Sequence, residues 1–279
     1  MSESKTISWR MMMKQFNWVG SEKNFVDEPT INNVGPITVG RFGGNSVSGS
    51  NKNEDGCLVW IDEENDWEFA MILDAHYSAE SAELVIETFT NKKAEIVDVL
   101  VPAVKKDFNK VLEHKILHIF QGEECLQACR EVKGETACLI VVRKAQFVWW
   151  FSIGDCLLYL HHPELAALGQ YQLNQRHFYE WVGQVNTFEL DVPCYSTGTR
   201  ELRKGSNHLF LTTDGLVECP GDPFSTPDKI FHSGTELSCE DMVHSLSRTI
   251  QDHHVRDSTT ILTWKVDVSK EGCIPSNLK

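Results

Sequence analysis

The chain has 279 residues, 41% of them hydrophobic, and a formal net charge of −14. That length and apolar content suit one sizeable domain with a large core. The acidic balance argues against a nucleic-acid partner, because phosphate-backbone binding needs clustered Lys and Arg that release counterions.

No apolar run reaches a membrane span. The strongest stretch, Ala137 to Ile153, is broken by Arg143, Lys144 and Gln146, so no membrane partner is expected. At the start, Met1 to Phe16 scatters Glu3, Lys5, Arg10 and Lys14 among its apolar residues instead of building a secretory leader. A cytoplasmic location is the expectation. The nine cysteines are odd in number and scattered; Cys125 and Cys129 stand four apart in a helical pattern without matching histidines, so free buried thiols are expected.

Along the chain, Ile37 to Phe42 reads as a short strand leading into the Gly- and Ser-rich loop Gly43 to Asn51. Strands follow at Gly56 to Asp62 and Trp67 to Leu73, joined by the polar turn Glu63-Glu64-Asn65-Asp66. Ser78 then caps one long helix, with Leu84, Val85, Phe89, Ile96, Val97 and Leu100 at helical spacing. A second helix over Ala103 to Arg130 buries Val104, Phe108, Val111, Leu112, Leu117 and Ile119.

Thr136 to Arg143, Gln146 to Ser152, Cys156 to His161, His208 to Thr212 and Thr260 to Lys265 read as strands, and Cys239 to His253 as a helix. The aromatic run Phe147 to Phe151 fits a buried strand. Strands and helices come in blocks, which predicts an α+β sandwich of sheets covered by helices and not a doubly wound sheet.

Five aspartates sit where an apolar strand begins or ends: Asp55 before Gly56, Asp74 after Phe69 to Leu73, Asp155 after Ile153-Gly154, Asp214 in Thr212-Thr213-Asp214-Gly215, and Asp257 before Ser258-Thr259-Thr260. Any one of them alone reads as a turn residue, since Asp-Gly and Gly-Asp are ordinary turn pairs. Several acids against buried strands suggest instead a shared cation, and oxygen-only ligands favour Mg²⁺ or Mn²⁺ over zinc.

The ordered set of Asn-x-Asp-Gly at 53–56, Asp-x-His at 74–76, Thr136-Ala137, Ile153-Gly154-Asp155, Thr212-Thr213-Asp214-Gly215 and Arg256-Asp257-Ser258-Thr259-Thr260 resembles the type 2C protein phosphatases, the metal-dependent serine/threonine phosphatases. The resemblance spans about Gly40 to Val266. It implies two packed antiparallel sheets flanked by helices, an αββα sandwich with a two-metal site at one end. On that pattern residues 1–36 are an extension, 37–268 the phosphatase domain and 269–279 a tail.

Asp74 would bridge two Mn²⁺ or Mg²⁺ ions, Asp214 and Asp257 would complete one shell, and Asp55 and the carbonyl of Ala75 would face the other. Asp155 would serve a third, weaker ion. His76 is placed like the histidine that protonates the leaving oxygen, and the partner implied is a phosphoprotein. The segment Leu173 to Trp181 falls where the family carries a flap, which makes Arg176 and His177 candidate substrate contacts.

Departures are specific. Ala75 replaces a glycine, Cys156-Leu157 replaces Ser-Arg, and Ser258 replaces Asn. Ser50 stands where many members have a phosphate-binding arginine, leaving Lys52 or Arg41 as substitutes. Two other readings stay open: a catalytically weak or inactive phosphatase-like binding module, and a hydrolase of small phosphate esters. The pairs His161-His162 and His253-His254 lack metal partners nearby in the sequence.

Overall fold

The computed structural model describes residues 13–276. In chain order the elements are β1 (Lys14–Val19), β2 (Thr30–Val34), β3 (Ile37–Phe42), β4 (Gly56–Asp62), β5 (Trp67–His76), α1 (Glu80–Asn91), α2 (Lys93–Leu100), α3 (Phe108–Phe120), α4 (Glu123–Glu131), β6 (Glu135–Lys144), β7 (Phe147–Ile153), β8 (Leu157–His161), the short α5 (Pro163–Ala166), β9 (Val182–Gly183), β10 (Ser196–Glu201), β11 (Gly205–Thr212), α6 (Pro227–Gly234), α7 (Cys239–Asp252) and β12 (Thr259–Val268). One antiparallel sheet runs β1-β4-β5-β6-β7-β10, with β9 paired to β6; the other runs β2-β3-β12-β11-β8.

Three apolar layers hold the sheets and helices together. Phe69, Met71 and Leu73 of β5 pack with Val85, Phe89, Leu112 and Phe120 of the helices. Ala70 and Ile72 of the same strand turn the other way, into the space between the sheets, with Val39, Leu139, Leu211, Leu262 and Trp264. On the far side Phe210 and Ile261 pack against Ile230, Met242 and Leu246 of α6 and α7. β5 is therefore covered on both faces, which is why its sequence is a continuous apolar run and not an alternation. The αββα sandwich implied by the resemblance is the architecture observed.

Several expectations change. The helix expected through Leu100 is two helices that break at Lys92, where the backbone leaves helical geometry (φ −94°, ψ 7°). The helix expected over Ala103 to Arg130 starts only at Phe108 and is interrupted at Gly122, whose ψ of 134° is extended. Val111, expected to be buried, is exposed. The sheets also begin before residue 37: β1 pairs with β4 and β2 with β3, so residues 14–34 are part of the sandwich. The segment Met1 to Phe16, read as lacking a leader, lies mostly outside the described residues. Among the described residues, no helix is long and apolar enough to cross a membrane.

Among the described residues no cysteine forms a disulfide.

Candidate metal centre

Side-chain alternation carries the acids to one place. Asp74 shares the parity of Ala70 and Ile72, so it leaves β5 on the side facing the second sheet. Asp55 shares the parity of Cys57 and Val59 ahead of β4, and Thr213 and Thr260 share that of Leu211 and Leu262 on β11 and β12. These strand ends lie together because β4 pairs with β5, and β11 with β12, through Gly56↔Leu73 and Thr212↔Ile261.

Two glycines bring in the remaining acids. Gly154, at φ 84°, turns the chain from β7 to β8 so that Asp155 enters the cluster. A Cβ on Gly215 would sit 2.2 Å from the carbonyl oxygen of Ser258, so only glycine lets the turn after Asp214 close against the chain after Asp257.

Carboxylate oxygens of Asp74, Asp155 and Asp214 lie within 4.8 Å of one another, and all three residues are buried. Asp74 Oδ2, Asp155 Oδ1 and Asp214 Oδ1 have no hydrogen-bond donor. Burial first, then the charges of Asp55, Asp214, Asp257 and Asp155, raises the pKa of Asp74 well above the carboxylate range. Burial also dominates at Asp55, where the hydroxyls of Thr260 at 2.7 Å and Thr213 at 3.1 Å donate to Oδ2 and oppose the shift. Asp214 is pushed up to about 7 by burial, then by Asp257, Asp155 and Glu218, with Arg176 opposing.

Three crowded, buried carboxylates, each keeping one oxygen without a hydrogen-bond donor, fit a hard divalent cation such as Mg²⁺ or Mn²⁺. Asp257 stands at the exposed rim, accepting from its neighbour's amide, Ser258 N, at 2.9 Å.

Ala75 keeps a strand backbone opposite Thr136, and its methyl packs into the helix-side core with Ala79 and Ala82. That side of the strand accommodates the methyl. His76 Nδ1 lies 3.9 Å from Asp74 Oδ1, and its ring meets Trp181 edge-on at 4.8 Å. Lys52 Nζ reaches Glu54 Oε1 at 2.7 Å and the carbonyl of Tyr77 at 3.0 Å, beside His76.

The other candidate cations and polar groups already have partners. Ser50 turns its hydroxyl inward to the carbonyl of Gly43. Arg41 is caged by the rings of Phe16, Trp18 and Phe25 at 5.2, 5.1 and 4.6 Å and donates to Asn32, away from the acids. Arg176 donates through Nη2 to Asp214 at 3.0 Å, Asp155 at 3.3 Å and Glu218 at 2.6 Å.

Glu218, Thr213, Thr260 and Trp181 were not singled out for roles at the site in the sequence. The only signal for the two threonines was their place beside Asp214 and Asp257.

The αββα sandwich is a fold shared with solved protein phosphatases. No family model matches the chain, and no curated protein matches it either. Solved structures do. The chain is similar to a bacterial serine phosphatase at 15% identity, covering 84% of this chain and 98% of that one with a TM-score of 0.60. It is similar to the serine/threonine phosphatase Stp1 from Staphylococcus aureus at 15% identity, with 83% and 95% coverage and a TM-score of 0.61. A third similar structure is the catalytic domain of the serine/threonine phosphatase PstP, in complex with 2 manganese ions, at 14% identity, 91% and 100% coverage and a TM-score of 0.54.

Proposed function

We propose that this protein is a cytoplasmic Mn²⁺- or Mg²⁺-dependent phosphatase that hydrolyses phosphoserine and phosphothreonine in other proteins. The observation that carries the proposal is the convergence of the five aspartates, with a buried carboxylate oxygen left without a donor on each of Asp74, Asp155 and Asp214. Two divalent cations bound there would lower the pKa of a shared water and neutralise phosphate oxygens.

The chain's own groups supply the rest. Asp55, Asp74, Asp214, Asp257 and the carbonyl of Ala75 would hold the two ions, with Asp155 serving a third. The hydroxyls of Thr213 and Thr260 orient Asp55. His76, braced by Trp181, is positioned to give a proton to the leaving serine or threonine oxygen. Lys52 stands beside it as the cation for the phosphate, Arg176 is a second cation carried on the loop 172–181, and Ser50 shapes the loop beneath Lys52. The serine/threonine phosphatases among the structural neighbours support a protein substrate.

A catalytically weak or inactive binding module is the second reading, favoured by the inward turn of Ser50 and by Arg176 lying on the acids. Hydrolysis of an aryl phosphate and of phosphopeptides, with Mn²⁺ and with a chelator, separates the two. Turnover restored by Mn²⁺ after chelation is expected. Turnover by pure protein that resists the chelator would overturn the metal-dependent reading, and none under any condition would favour the module.

A further inference from the structure

A single nitrogen, Nη2 of Arg176, lies against three carboxylates: Asp214 at 3.0 Å, Asp155 at 3.3 Å and the outlying Glu218 at 2.6 Å. Asp155 and Asp214 each give this nitrogen one oxygen and keep the other without a donor. The guanidinium also lies 4.8 Å from the ring of Phe178, two residues on, and the neighbouring His177 amide bonds to the carbonyl of Gly154 at 3.0 Å. These contacts tie residues 175–181 of the loop to the turn that carries Asp155, while the buried Asn174 is fixed separately to Leu158 N, Ser152 Oγ and the carbonyl of Cys156. The guanidinium is always charged. It takes oxygens that an ion between Asp155 and Asp214 would need, and it repels any cation placed beside it.

We infer that Arg176 is an internal cation that holds the Asp155–Asp214 side of the cluster in competition with a divalent ion, so that ion binding there releases residues 175–181 of the loop. The inference rests on the proposal that the acids bind such ions, and it adds a positioning residue that couples ion occupancy to the loop over the site. The coupling is reciprocal: whatever factor the arginine costs the ion, the ion costs the arginine's hold on the loop. Glu218 is not part of the cluster around Asp74, so its contact anchors Arg176 without adding to the ion's ligands.

Calorimetric Mn²⁺ titration of the parent chain and of Arg176→Met, Arg176→Lys and Glu218→Gln, with hydrogen exchange of the 175–181 peptide in each, tests this. Arg176→Met should bind its weakest Mn²⁺ about tenfold tighter than the parent does. Glu218→Gln should move in the same direction by less, and Arg176→Lys should stay near the parent because the charge is kept. In the parent, Mn²⁺ should speed exchange in the loop; in Arg176→Met exchange should be fast with or without it.

Glu218→Gln keeps the test decisive if the methionine variant folds poorly. Equal Mn²⁺ affinity in all four chains, or loop exchange that Mn²⁺ does not change, overturns this inference alone. Absence of Mn²⁺ binding in every chain overturns it together with the proposed function.

Discussion

Asp74 has one carboxylate oxygen 3.9 Å from His76 and the other buried without a donor, and the four remaining aspartates all act on its charge. The proposed bridging role draws on that central place, and it separates Asp74 from Asp155, whose carboxylate is already shared with Arg176. Losing even an outer partner of a metal ligand commonly costs 10- to 100-fold, so Asp74→Asn should lower kcat on an aryl phosphate by more than about a hundredfold at saturating Mn²⁺. Asp155→Asn should cost about tenfold at most. Steady-state rates of the two variants decide the matter, and a larger loss in Asp155→Asn would remove Asp74 from the bridging position.

Arg41 makes the opposite case. Its charge is spent inside an aromatic cage, so Arg41→Ala should cost roughly 2 kcal/mol of unfolding free energy while leaving KM for the aryl phosphate unchanged. A raised KM with unaltered stability would return Arg41 to the phosphate.

Strand ends, more than single side chains, set the spacing of the acids. Gly215 closes the exit of β11 against the entry to β12, and an added methyl would meet the backbone oxygen of Ser258, which cannot rotate away. Gly215→Ala should therefore force Asp214 and Asp257 apart, lowering turnover about a hundredfold through misplacement and stability by roughly 1–3 kcal/mol through overpacking. Turnover at the parent's level would show that the site tolerates a shift between these two strands.

The same elements explain what the sequence revealed. Interior strands such as β5 and β6 were legible because burial on both faces leaves an unbroken apolar run, and the acids were legible because each ends such a run. β2 and β10 were not, because as edge strands they carry Asn, Ser, Thr, Arg and Glu and are only partly buried. The helix breaks at Lys92 and Gly122 were hidden because the helices on either side bury against the same sheet, so the apolar spacing carries on across the gap. The hand of Arg176 was out of reach for another reason: its partners lie 21 and 38 residues away in the chain, and only the fold brings them together.

Across the whole molecule, two buried sets of ionisable groups respond to pH in opposite directions. His161 and His208 lie against the five-stranded sheet beside Phe210, where burial lowers their pKa values to about 4 and about 3 from 6.5. Their neutral forms favour the fold, so this contribution is complete above pH 6.5 and is lost as pH falls through 4 toward 3. Asp214 has the reverse sign: its folded pKa of about 7 exceeds the unfolded 3.8, so its contribution is complete below 3.8 and is lost as pH rises through 7.

Asp55 and Asp74 are raised in the same sense, which makes the ion-free acid cluster a growing burden toward neutrality. Cations bound to the acids would relieve that burden and leave the histidines untouched. The rise in melting temperature on adding Mn²⁺ should then grow steadily from pH 4 to pH 7.5, while the decline on the acid side persists with Mn²⁺ present. Asp214→Asn, with one charge fewer in the crowd, should melt at pH 7 at or above the ion-free parent and gain less from Mn²⁺. Melting curves with chelator and with Mn²⁺ across that range measure both effects. A Mn²⁺-induced rise that is flat with pH, together with a full parent-sized gain in Asp214→Asn, would mean that the ion binds somewhere other than these five acids.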